Sequence, residues 1–220
     1  MFLGHFAVGL AAKSIEKKPS LGTYFMAVQF LDLLWPTLLL LGLEKVSIQP
    51  GGVIPLNFDS YPISHSLLAV VGWGALFATV YYFTQWAARA ALVVGLCVAS
   101  HWVLDFIVHA PDLPLYPGAS PKVGLGLWGS MISAQLVESI LFITGIYLYL
   151  NSTRPINKKG IYVIWSLIIF TALIHVSNIF GPPPPSVSAV AWAGHLQWLF
   201  VLWAYWADNN RTSGAEAVSA

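Results

Sequence analysis

The sequence predicts an all-α fold, a polytopic transmembrane bundle of about seven helices with the first one short, and its composition and apolar runs carry that reading. Hydrophobic residues fill 57% of the 220 positions, charged residues only 9%, and the mean hydropathy is +0.72. Soluble domains carry about 25% charged residues, so a water-facing surface cannot be built from this chain. The apolar residues gather at 1–14, 21–43, 63–84, 90–110, 127–150, 161–180 and 187–207. Most of these runs approach the ~20 residues that a membrane span requires.

Breakers separate the runs: Pro50, Gly51 and Gly52, then Pro62, Pro111 to Pro121, Pro155, and Pro182 to Pro185. Pro36 falls inside the second run and is expected to kink it. The first run has no basic residue ahead of it, so it is expected to be a retained helix rather than a signal peptide. Residues 1–208 are expected to form one transmembrane helical domain, and 209–220, small and polar, a disordered cytoplasmic tail.

Orientation follows from the basic residues, which accumulate in short cytoplasmic loops. Lys13, Lys17, Lys18, Arg89, Arg154, Lys158, Lys159 and Arg211 fall on one side of a seven-helix alternation, and only Lys45 and Lys122 on the other. The first side is expected to face the cytoplasm. The formal net charge of +1 and the absence of a Lys/Arg block exclude nucleic acid as the expected partner. Membrane lipid is the expected surrounding, and the sequence is silent on oligomeric state. Cys97 is the only cysteine, so no disulfide forms within the chain and any metal must be held by histidine and carboxylate.

Ionisable side chains at membrane depth are costly and mark function. His5 lies in the first run, Asp32 in the second, His65 at the start of the third, His101 and Asp105 late in the fourth, and Glu138 in the fifth. His101, Asp105 and His109 recur at i, i+4 and i+8, which stacks them along one helical face. Imidazole nitrogen and carboxylate oxygen suit a divalent metal, Zn²⁺ first, with Mn²⁺ or Fe²⁺ as alternatives. The expected ligands are His5, Asp32, His65, His101, Asp105 and His109; Asp105 can bridge two ions, and Glu138 is a candidate general base. His175 and His195 lack acidic neighbours and are expected to serve packing. Gly124, Gly126 and Gly129 match G-x-G-x-x-G, but without a preceding strand they are not a nucleotide site. Ser64, Ser66 and Ser100 adjoin candidate histidines, yet none sits in a nucleophile-elbow pattern.

Gly4-His5 with Gly9, Asp32, Ser64-His65-Ser66-Leu67-Leu68 and His101-Trp102-Val103-Leu104-Asp105 together resemble the bacterial family of membrane-bound metal-dependent hydrolases that includes the LexA-binding, inner-membrane-associated hydrolases. The resemblance spans roughly the first half of the chain. It implies a metal site for hydrolysis built from His5, Asp32, His65, His101 and Asp105 in a bacterial inner membrane; the charge bias of the loops, with the C-terminus cytoplasmic, is what puts the expected site toward the periplasmic side. The order of these residues is also similar to that of zinc-dependent phospholipases C, which implies a lipid or other phosphoester substrate by analogy. Family members show two acids where this chain has Leu31-Asp32-Leu33-Leu34, and a basic residue with Thr where it has Pro62-Ile63-Ser64. Alternative readings of the same residues are a small transporter or proton- or ion-conducting protein, and a non-catalytic metal-binding scaffold.

Overall fold

A computed structural model describes residues 1–51 and 54–213 of the chain. Every apolar run is mainly helical, which satisfies backbone N–H and C=O groups within the segment where no water can. The helices are α1 (Phe2–Ile15), α2 (Leu21–Val28), α3 (Phe30–Leu40), the single turn α4 (Pro62–His65), α5 (Leu67–Gln85), α6 (Ala88–Val108), α7 (Met131–Ser152), α8 (Lys158–Phe180), α9 (Val187–His195) and α10 (Gln197–Asp208). Helices α5, α6, α7 and α8 are each long and apolar enough to cross a membrane, and α9 with α10 reads as one further crossing of 22 residues. Helices α2 and α3 pass the same test as a pair bent by 52°. The 14 residues of α1 rise about 21 Å, short of the ~30 Å hydrocarbon core.

Serine and asparagine start several of these helices. Ser20, Ser66, Ser130 and Ser186 each accept an N–H three residues on with the side-chain oxygen, and Asn157 does the same for Gly160. The outward faces are apolar: Leu68, Val71, Leu76, Val80 and Phe83 of α5 are all exposed, a surface suited to lipid rather than water. Inside, Phe6, Phe25, Tyr149, Ile164 and Phe200 centre a core shared by α1, α2, α7, α8 and α10. Close backbone approach sets one contact that matters below: a Cβ on Gly145 of α7 would lie 2.5 Å from the Ala7 carbonyl oxygen of α1.

The bend in the second span is not at Pro36. It lies at Gln29, which leaves the helical region (φ −101, ψ 2) between α2 and α3. Pro36 stays inside α3, its ring seated on Gly194 of α9, where a Cβ would come within 2.5 Å of the proline Cγ. Its missing N–H would have bonded the carbonyl of Asp32, four residues back, so the defect falls beside a polar residue rather than in apolar core.

The two ends of the bundle differ. At one, Lys13 Nζ meets Asp208 Oδ2 at 2.7 Å, Lys18 Nζ donates to Gln85 O at 2.8 Å, and Arg89 Nη2 to Ile15 O at 2.9 Å. Within the expected disordered tail, residues 209–213 are ordered. Strand β6 (Arg211–Thr212) pairs with β5 (Arg154–Pro155), and buried Arg211 donates to Thr153 Oγ1, Thr153 O and Gly160 O at 3.0, 3.2 and 2.9 Å. A guanidinium satisfied in this way pins the segment; residues 214–220 lie outside the described residues. At the other end, hairpin β1–β2 (Lys45–Ile48, Leu56–Ser60) and the short pair β3–β4 (Leu113–Pro114, Lys122–Val123) cover the bundle.

Candidate metal centre

Four helical elements bring five of the six expected ligands together in the half of the bundle nearer the hairpin end. The ligand atoms of His5, His101 and Asp105 lie within 4.8 Å of one another, and so do those of Asp32, His65 and His101. His101 Nε2 is 3.1 Å from Asp105 Oδ2 and 3.7 Å from Asp32 Oδ1; His65 Nε2 is 3.5 Å from Asp32 Oδ1 and 3.8 Å from Asp105 Oδ2. Two ligands of a tetrahedral zinc ion sit about 3.4 Å apart. These four distances bracket that value.

The imidazoles are aimed. His101 Nδ1 donates to the Val28 carbonyl at 2.6 Å, an oxygen freed from helical bonding because α2 ends there. In the neutral ring this leaves Nε2 as a lone pair, and it is fully buried with no hydrogen-bond partner, although Asp105 Oδ2 is only 3.1 Å away. Two lone pairs that close need a cation between them or a second proton on the ring. His65 is held similarly: its Nδ1 lies 2.6 Å from Ser64 Oγ, which donates to Glu44 Oε2 at 2.6 Å, so Ser64 accepts from the ring and His65 Nε2 turns its lone pair toward Asp32. Hydrogen bonds of this kind at the far nitrogen are what fix metal-binding histidines.

Glu44 is the residue that sequence reasoning missed. Besides Ser64 Oγ, it accepts the N–H groups of Ile63 and Ser64 at 2.7 and 2.8 Å, capping α4 and setting the angle at which His65 leaves it. In the sequence it reads as an acid starting an outer loop, and only the hairpin's return to α4 reveals its role.

His5 sits on the opposite side of Asp105. Its Nε2 is 3.1 Å from Oδ1, and its ring stacks on that of His101 with centroids 3.6 Å apart. The Met1 nitrogen lies 2.7 Å from the same Oδ1 and 3.1 Å from His5 Nε2.

Two expected residues take other positions. Helix α6 ends at Val108, so His109 leaves the helical face in an extended conformation (ψ 146) and turns toward the loops. Its Nδ1 pairs with Asp112 Oδ1 at 2.9 Å, and it joins neither ligand group. Glu138 is buried, and its Oε2 accepts Leu3 N–H at 2.7 Å, capping α1 from α7. It too lies outside both groups.

The neighbouring serines are engaged: Ser66 caps α5 and Ser100 Oγ donates to Cys97 O at 2.7 Å. His175 pairs with Gln135 Oε1 at 2.6 Å and stacks on Phe2, the packing role expected of it. The glycine-rich stretch folds back on α6, where Leu125 N–H donates to Phe106 O and Gly126 N–H to His109 O, so it caps a helix.

Each of the two groups, His5 with His101 and Asp105, and Asp32 with His65 and His101, could hold a divalent metal ion, with His101 common to both. No family model, no curated protein and no solved structure matches the chain.

Proposed function

We propose that this chain is a membrane-embedded metal-dependent hydrolase, of the kind its motifs resemble, that cleaves a lipid or other phosphoester in a bacterial inner membrane with zinc as the bound ion. The observation that carries the reading is the convergence of two Nε2 atoms, each aimed by a hydrogen bond at its own Nδ1, on the carboxylates of Asp32 and Asp105. A divalent cation there supplies Lewis acidity that makes water nucleophilic near a pH of ~7.

The chain's own residues do the rest. Asp32 and Asp105 offset the ion's two charges, and His65 and His101 contribute neutral donors. The Asp32 side chain keeps 27% of its surface exposed, against 6% for His65, 3% for Asp105 and 0% for His101. Substrate and water therefore reach the centre past Asp32. This carboxylate would take the proton of the water whose oxygen bonds to phosphorus, while the departing ester oxygen takes its proton from solvent as the P–O bond breaks. With Oε2 committed to Leu3, Glu138 positions α1, and through it His5. The basic end faces the cytoplasm and the centre lies toward the periplasmic half.

The test is turnover of bis(p-nitrophenyl) phosphate and of micellar phospholipid by the purified chain. Hydrolysis that a chelator abolishes and zinc restores supports the reading; no hydrolysis by fully metal-loaded protein rejects it.

One observation favours the transporter alternative: the second span breaks beside the cluster, and the Gln29 amide at the break is buried with neither polar atom partnered. Against it, Leu10, Leu21, Val94 and Val98, each at most 1% exposed, pack the bundle toward the basic end with apolar side chains. Zinc or proton uptake into proteoliposomes decides between the two.

A further inference from the structure

Over the metal centre, between β2, the segment after α6 and the turn at Leu127–Gly129, lies a cavity of about 250 Å³. Phe58 and Trp128 supply aromatic walls, Ile54 and Leu56 aliphatic ones, and Asp112 is the one charged residue in the lining. The rings are braced: Phe58 and Trp128 lie nearly parallel, 18° apart with centroids 6.4 Å apart, and Trp128 packs on His109 at 4.4 Å. Asp112 is braced too, since its Oδ1 accepts from Tyr61 Oη at 2.7 Å and pairs with His109 Nδ1 at 2.9 Å. Burial, and then the Asp112 carboxylate beside it, push the Tyr61 phenol above its ordinary range, so the hydroxyl keeps its proton and remains a donor. The hairpin-end lysines, Lys45 and Lys122, do not line the cavity.

Aromatic faces attract a cation, a carboxylate attracts it further, and aliphatic walls accept the methyl or methylene groups it carries. An anion would meet the ring faces and Asp112 with the wrong sign. A neutral apolar ligand would strip water from the carboxylate without replacing it. We propose that this cavity binds an alkylammonium group, the chemistry shared by choline and by the headgroup of a zwitterionic lipid. The site uses none of the metal ligands and does not depend on the hydrolase reading.

The test uses the full chain in a detergent free of choline, titrated calorimetrically with choline chloride and, separately, with 3,3-dimethyl-1-butanol, the uncharged analogue of the same shape. Choline is expected to bind at least about tenfold more tightly than the alcohol. Asp112→Asn and Trp128→Leu should each weaken choline by about tenfold, and Trp128→Phe should restore most of the affinity. A second arm measures which lipid co-purifies from mixed phosphatidylcholine and phosphatidylglycerol nanodiscs. Selective retention of phosphatidylcholine, lost in Trp128→Leu, identifies the lipid headgroup as the source, whereas choline binding without such retention identifies the free amine. Equal binding of choline and the alcohol, unaltered choline affinity in well-folded Trp128→Leu, or binding in neither arm overturns the proposal.

Discussion

His101 donates its Nδ1–H to the carbonyl of Val28, 2.6 Å away, at the point where the second span stops being one helix. The break and the ligand thus depend on each other. A continuous helix would have spent that oxygen on its own N–H four residues on, and the ring would have been free to turn.

The same logic predicts the effect of removing a bond that touches no metal. Ser64→Ala deletes the acceptor at His65 Nδ1 while leaving every ligand in place. Zinc affinity should fall 10- to 100-fold, measured by competition with a chromogenic chelator, with helical content unchanged. Unaltered affinity would mean that the contact between Ser64 and His65 does not orient the ring.

Glu138 separates a positioning role from a chemical one. Glu138→Gln keeps an oxygen to accept Leu3 N–H, so hydrolysis should stay within a few fold of wild type and the melting temperature should barely move. Glu138→Ala leaves that N–H unpaired and should lower stability by about 1–3 kcal/mol, read from thermal melts in detergent. Loss of turnover in Glu138→Gln with metal content intact would instead restore the general-base role that its position in the sequence suggests.

Gly145 bears on His5 from a distance. A Cβ there would press on the Ala7 carbonyl at 2.5 Å, so Gly145→Val should force α1 off α7 and move His5 from Asp105. The expected result is a destabilisation of at least about 1–3 kcal/mol, with folded yield dropping in parallel. A fully stable Gly145→Val would contradict the close packing of these two helices.

Arg211 fastens the chain after α10. Arg211→Ala removes three hydrogen bonds to Thr153 and Gly160 from a buried guanidinium, and should cost about 2–3 kcal/mol, read by thermal melts and by proteolysis after α10. Indifference to the substitution would favour the disordered tail that its small polar residues suggest.

The seven apolar runs, the short first helix and the gathering of His5, Asp32, His65, His101 and Asp105 are legible in the sequence. Hydrocarbon admits only helices and closed barrels, apolar runs of about 20 residues fit helices, and intramembrane His and Asp have few places to go. What was not legible depends on contacts between distant segments. Pro36 signals a kink that Gly194 absorbs, while Gln29, where the bend occurs, is neither proline nor glycine. His109 keeps the helical spacing, but its helix ends one residue earlier, at Val108. Glu44 joins the site only because hairpin β1–β2 returns the chain to α4, a relation that no spacing encodes. Arg211 looks solvated until β6 pairs with β5.

The central claim is that His65, His101, Asp32 and Asp105 hold a metal ion, and the most direct measurement is elemental analysis of the purified chain and of His101→Ala at matched purity. A transition metal at near-stoichiometric level in the first and its loss in the second is the predicted result. Wild-type protein, purified without chelators and offered zinc, that retains no transition metal would contradict the account.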